Sequence, residues 1–296
     1  LHNIFSHCRY RSGGQLNVEI TTAVFAGGGS RCFWQLGFWD GANAAGLDLN
    51  RSVSYAASTS AGCAIAVGAL LNRGAEALEM FKAMTARNPR NIHWLNLLPG
   101  RSGRLLPHIA MYREALESFL TPADLVQLAD KQVDFLLSIP PVFLPGILGP
   151  LAAFPVYGLE KHLTGAVHPR WTQKMGFRPL VKGNRDVREV AELVDIILGA
   201  SCVPPVLPSP GIGGLRVLDG GLIDSVPAGL AEGRSGTTLV LLSTRYRKPL
   251  PRIGGRLYVP PSEQISIDKF DYANPDGLQR AYDLGIRDGG QFARHA

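Results

Sequence analysis

Ser60 stands in the run Tyr55-Ala56-Ala57-Ser58-Thr59-Ser60-Ala61-Gly62-Cys63-Ala64-Ile65-Ala66, which reads as a short strand, a tight turn of small residues and a buried helix. A serine at such a turn is lifted clear of its sheet and aimed at the helix N-terminus, as in a G-x-S-x-G nucleophile elbow. The next backbone N–H, on Ala61, then faces the place where an oxyanion would develop. Here serine, Ser58, fills the first glycine slot, and small-residue turns also serve packing alone. The elbow therefore needs a base, such as a carboxylate, to take the serine proton and donors to hold the oxyanion.

Two further stretches supply candidates. Val18 to Ala26 reads as a strand, followed by Gly27-Gly28-Gly29-Ser30-Arg31 and an apolar helix from Phe33 to Ala45. Consecutive N–H groups without Cβ atoms make an anion cradle. A dinucleotide-binding loop is the rival reading. Cys32 occupies its last glycine position, and Asp48 precedes the second strand instead of ending it, which leaves no ribose-binding acid in place. The other stretch is Leu215 to Leu218, a short strand running into Asp219-Gly220-Gly221. An acid held there by glycines lies at a strand's carboxyl end, where α/β sheets place their ligands.

The elements that must position these residues alternate along the whole chain. Helical patterning covers Ala75 to Ala86, with Ala77, Met80, Phe81 and Met84 on one face, and resumes from Met111 to Leu120. Thr121-Pro122-Ala123-Asp124 opens a further helix with an N-cap, a proline and an acid. Asp186-Val187-Arg188-Glu189 resembles a capping box for a helix that stops at Gly199. Thr237 to Ser243 is a continuous apolar strand of the parallel kind. Asn274-Pro275-Asp276 opens a last helix with Leu278, Ala281, Tyr282, Gly285 and Ile286 on one side. Strands alternating with helices argue for one three-layer α/β/α domain over residues 18–296, with an N-terminal arm over 1–17.

Composition narrows the function classes. The 296 residues are 46% hydrophobic and 18% charged, which is globular and long enough for a sizeable core. The net charge of +6 is too dispersed to imply nucleic acid but suits an anionic surface. The four cysteines show no metal or disulfide spacing, and Cys32, Cys63 and Cys202 sit in apolar segments as buried thiols, which points to a reducing compartment. No signal peptide is visible in Leu1 to Asn17, although the chain does not begin with Met and upstream targeting stays open. The expected location is cytoplasmic or peripheral at a membrane. Phe135 to Phe154 is uncharged, but Pro140, Pro141, Pro145 and Pro150 would break a spanning helix, so it reads as a strand followed by a buried or interface-seeking loop.

Taken together and in this order, the glycine loop, the serine turn and the Asp219-Gly220-Gly221 box resemble the patatin-like phospholipase family, over about Val24 to Gly289. The resemblance implies an α/β/α sandwich with a mostly parallel central sheet and hydrolysis of lipid acyl esters, of the phospholipase A or lysophospholipase kind. It implies a Ser60–Asp219 dyad without histidine, and an oxyanion hole drawn from Gly27, Gly28, Gly29 and Ala61. Arg31, Gly62, Gly220 and Gly221 would support the site. Neither metal nor organic cofactor is implied, and the partner is a phospholipid or other lipid ester. Cys32, Ser58 and Asp224 depart from the family pattern; Asp224 would add negative charge near the dyad and oppose ionisation of Asp219 if close enough.

Two other classes stay open: an α/β-hydrolase esterase with a Ser–Asp–His triad, and an inactive lipid-binding protein with the same fold. In the triad order of serine, acid, histidine, only His295 follows Asp219, and it is the next-to-last residue. His162 and His168 read as satisfied or solvated. The acid-free run from Thr244 to Arg256 carries Arg245, Arg247, Lys248, Arg252 and Arg256 as candidate contacts for an anionic membrane surface, on the rim that holds Ser60.

Overall fold

The computed structural model describes residues 19–97, 104–143, 153, 155–160, 167–168, 171–204, 207, 211–246 and 248–296. Residues 1–18, and with them the expected arm, lie outside this set. The chain opens with β1 (Ile20–Phe25), a 3-10 turn over Gly29–Cys32 and α1 (Phe33–Ala44). A short α2 (Leu49–Ser52) returns it to β2 (Tyr55–Thr59), and α3 (Gly62–Leu70) follows the serine turn directly. Being apolar on every side, α3 can only lie buried, and eight of its residues do so.

Next come α4 (Gly74–Ala86), α5 (His108–Phe119), α6 (Pro122–Leu128) and β3 (Gln132–Ile139). The chain then forms α7 (Trp171–Lys174), β4 (Arg178–Gly183), α8 (Val190–Ala200) and β5 (Leu218–Asp219). It closes with β6 (Thr237–Leu241), β7 (Arg256–Val259) and α9 (Pro275–Ala293). One sheet takes the order β4-β3-β2-β1-β6-β7, with β5 added on β3. The pairs β1–β2, β1–β6, β2–β3 and β6–β7 are parallel; β4 and β5 run antiparallel to β3. This is the expected mostly parallel sheet.

Alternation along the strands divides the core. Ala23, Phe25, Ala56 and Phe135 face the larger cluster, shared with α1, α3, α4, α5, α8 and α9. Val24, Ala57 and Val240 face the other side, covered by Val226, Ala228 and Ala231 and, beside Leu136, by Ala153 and Tyr157. Among the described residues the layers are therefore unequal, the first cluster being much the larger.

Bare backbone joins α1 to α9. A Cβ on Gly37 would strike the Tyr282 carbonyl, and one on Gly285 would strike that of Trp34. Such contact compensates for the roughly 1 kcal/mol that a helix-interior glycine costs relative to alanine. Trp34 Nε1–H donates to Asp288 (2.8 Å) and the Tyr282 hydroxyl to Asp40 (2.6 Å) at the same seam.

Three local expectations change. The helix expected from Asp186 begins at Val190 and ends at Ala200, because Asp186 accepts instead from the Gly183 N–H at 2.7 Å and closes a 3-10 turn. On α9, Ile286 is exposed and Leu284 is buried in its place. The proline-rich stretch starts as β3, but Val142 and Phe143 beyond it are 93% and 72% exposed, so that part of the loop is not core; residues 144–152 and 154 lie outside the described set. Among the described residues no helix is long and apolar enough to cross a membrane.

Candidate active site

β3 acts as the ruler of the site. β4 occupies one of its edges from Asp134 to Ile139, so both other partners must share the opposite edge. β2 takes the first part of that edge, up to Thr59 opposite Leu136. β5 takes the rest, with Asp219 opposite Leu137, the very next residue. Two strands 159 positions apart in sequence thus meet end to end, and Ser60 Oγ donates to Asp219 Oδ2 at 2.6 Å.

The meeting is tight enough to dictate residue types. β2 must leave the edge abruptly, and Ser60 does so with φ +54°, in the left-handed region that costs a non-glycine residue on the order of 1–2 kcal/mol. A Cβ on Gly220 would strike the Leu136 carbonyl, and Gly62 packs so closely on β1 that a Cβ there would lie 2.7 Å from Phe25 O. Ser58, the competing hydroxyl, is fully buried and turned towards the Asp134 carbonyl at 3.5 Å.

Both oxygens of Asp219 are engaged, Oδ2 by Ser60 and Oδ1 by the Gly221 N–H at 2.6 Å. Its backbone is anchored as well: Asp219 N–H donates to Cys202 O and Ser138 Oγ donates to Asp219 O. Burial raises the pKa of Asp219 from 3.8 to about 6, against the smaller lowering effects of the two hydrogen bonds and of the nearby Lys269. Asp224 takes no part in this shift. Its carboxylate is held by His168 Nδ1 at 2.8 Å and by the Val226 N–H at 2.9 Å, which corrects the expected repulsion.

In the glycine loop the four N–H groups divide. Gly27 N–H donates to Ser225 O (2.9 Å) and Ser30 N–H to Lys269 O (2.9 Å), so the expectation that Gly27 is an oxyanion donor is corrected. The N–H groups of Gly28, Gly29 and Ala61 have no protein acceptor among the described residues. Gly28 is pinned against Ser243, whose Oγ donates to Gly27 O at 2.5 Å, and a Cβ on Gly28 would collide with that side chain. Cys32 fits the closing position: it is buried and its thiol donates to Ala26 O at 3.4 Å. Arg31 points away from the cleft and donates through Nε to Ile267 O at 2.9 Å.

These groups line one cleft of about 600 Å³, walled by Tyr112, Tyr157, Leu222, Phe270 and Tyr272. Behind Gly29 and Ala61, which line both, lies a second and almost wholly apolar cavity of about 70 Å³ among Phe33, Leu36, Ile65, Met80, Phe81 and Phe119. A family model described as patatin-like phospholipase matches residues 23–232.

The chain belongs to the patatin-like phospholipase family.

That family is one of lipid acyl hydrolases, and the matched span contains the serine turn, the glycine loop and Asp219 but ends before β6. A comparison with curated proteins found no significant match. Among the described residues no histidine lines the cleft: His108 Nε2 meets the Phe270 carbonyl and His168 meets Asp224 and Tyr258. His162 lies outside the described residues.

The basic run does not gather at the patatin-like cleft. Arg245, Lys248 and Arg252 are exposed between β6 and β7, and none of them lines it. Arg256 pairs with Thr238 at the start of β7, and so lies at the opposite end of the parallel sheet from Ser60, which corrects its placement on the rim. Arg247 lies outside the described residues. Sequence reasoning assigned no role to Lys269, Ser225 and Ser243, because each reaches the glycine loop from far along the chain.

Burial of Asp219 sets a sign for stability. Between pH 4 and 6 the native state holds a proton that the unfolded chain has released, so this carboxyl subtracts stability as pH rises through that window. Relative to the parent, Asp219→Asn should gain about 2 kcal/mol between pH 4 and pH 7.5 in urea unfolding. A difference that is the same at both pH values would mean that Asp219 titrates as an ordinary carboxylate.

Proposed function

We propose that the protein hydrolyses carboxylic esters of glycerolipids, as a phospholipase A or lysophospholipase, through Ser60 and Asp219. The observation that carries this reading is the 2.6 Å contact from Ser60 Oγ to a buried carboxylate, beside N–H groups that have no acceptor among the described residues. Ser60 Oγ attacks the ester carbonyl while its proton passes to Asp219 Oδ2. The tetrahedral oxyanion is held by the N–H groups of Gly28, Gly29 and Ala61. Collapse breaks the bond to the alcohol, which leaves with the proton from Asp219, and acyl-Ser60 remains. Water then gives a proton to Asp219 and attacks the acyl carbon; the acid departs and the proton returns to Ser60.

A carboxylate is a poor base for a hydroxyl, and the raised pKa of Asp219 narrows the gap. The triad alternative loses ground because no described histidine lines the cleft. Ser60→Ala should abolish both fluorophosphonate labelling and ester hydrolysis, and the acid limb of kcat/KM in the parent should have its midpoint near pH 6. Persistent labelling of the alanine variant would remove Ser60 from the role.

The apolar cavity next to the oxyanion donors is the natural seat of the acyl chain. Its volume of about 70 Å³ is half that of a cavity able to take benzene (~150 Å³), which leaves room for roughly three carbons. Short acyl groups should therefore be the best substrates. Met80 is only partly buried at the cavity wall, and Met80→Ala should shift the chain-length optimum upward by two carbons or more. An unchanged profile would place the chain in the open cleft instead.

The cleft mouth would face lipid. Val142, Phe143, Leu159 and Phe270 are exposed, with Phe270 and Gly158, the neighbour of Leu159, lining the cleft itself. Arg245 and Lys248 lie exposed in the loop after β6 and could add about 1 kcal/mol each on an anionic surface, less in salt. Phe143→Asp should weaken sedimentation with anionic vesicles severalfold, and 0.5 M salt should weaken it further. Binding that ignores both changes would exclude this face.

A further inference from the structure

Lys269 lines the cleft together with Ser60 and Asp219, and it is the one cation among the described residues that does so. It lies beyond residue 232, where the family match ends. Its backbone is fixed from several directions. Ser30 N–H donates to Lys269 O, Arg31 Nε to Ile267 O, Ser30 Oγ to Asp271 O, and His108 Nε2 bonds Phe270 O. Gly29 packs against the Lys269 carbonyl so closely that no Cβ would fit between them. The side chain is therefore presented by a rigid strap, directly beside the N–H groups of the glycine loop.

Its ammonium has no ion-pair partner among the described residues. Asp219 is close enough to act on its charge, but both oxygens of that carboxylate are already engaged by Ser60 and Gly221. Arg31, the other nearby charge of the loop, is also positive and is turned towards Asp268. Lys269 stays solvent-accessible, while the surrounding cleft wall and Arg31 lower its pKa. The cleft thus offers a held cation that has no ion-pair partner among the described residues.

The route of the ester decides what that cation meets. If the acyl chain enters the apolar cavity behind Gly29 and Ala61, the alcohol half must leave through the wide cleft, where Lys269 stands. We propose that Lys269 is a specificity-determining residue, which binds an anionic group, phosphate or carboxylate, carried on the alcohol half of the substrate. This rests on the Ser60 reading only for the placement of the ester, not for the cation itself.

The test separates the two. In a Ser60→Ala background, hexyl phosphate should bind at least tenfold more tightly than hexanol by calorimetry. Adding Lys269→Met should erase the preference, and adding Lys269→Arg should keep it. Inorganic phosphate alone should bind weakly, which would separate a headgroup on an acyl ester from a free anion. With Ser60 intact, Lys269→Met should lower the ratio of kcat/KM for butyrylglycerol phosphate over butyrylglycerol about ten- to hundredfold, the range expected for losing one charged hydrogen bond. Equal losses on both esters, or hexyl phosphate binding no better than hexanol, would overturn the proposal. If neither ester is hydrolysed, the reading of Ser60 fails while the binding arm still decides the role of Lys269.

Discussion

Everything in the site depends on one shared edge. β3 has room for a single neighbour opposite β4, yet two strands use it, β2 up to Leu136 and β5 from Leu137. The handover leaves no gap for a side chain. Thr59 Oγ1 donates to the Leu136 carbonyl at 3.2 Å, and Gly220 packs against the same carbonyl without a Cβ. The positive φ of Ser60 follows from the same constraint, since β2 has to turn out of the sheet within one residue. The backbone strain at the serine and the glycine after the aspartate are two sides of one packing problem. Their solution brings a hydroxyl to a carboxylate.

Burial then gives the pair its chemistry. A carboxylate exposed to water would be an indifferent partner for a serine; buried and held by two donors among the described residues, it becomes more basic. The same enclosure raises the thiols of Cys32 and Cys63, which remain protonated packing groups. The charge that acts on Asp219 from a distance is that of Lys269, while the direct contacts are uncharged except for Asp219 itself.

Much of this was legible in the chain. Three boxes of small residues announce themselves because close backbone approach excludes other side chains, and Thr121 with Asp124 caps α6 as the spacing suggests. What escaped depends on partners remote in sequence. Nothing local says that the Gly27 N–H will find Ser225 O, or that Asp224 will face His168 rather than Asp219. Arg256 was misplaced because a loop of unknown length separates the two ends of a parallel sheet, and β7 begins where the run ends. Lys269 sits in an irregular segment with no periodic pattern, so only the fold reveals which cavity it borders.

The strap over Ile267–Tyr272 and the glycine seam between α1 and α9 carry a temporal meaning. The outer wall of the glycine loop, and the helix that clamps α1, are synthesised long after the serine turn has left the ribosome. Until then Ser30 and Arg31 have nothing to hold, Gly37 faces no partner backbone, and the donors beside Ser60 are unsupported. A nascent chain bearing the whole family-matched span would still lack the outer wall of the glycine loop. The order of translation thus delays support of the Ser60 turn until the segments around Ile267 and Ala293 have been made.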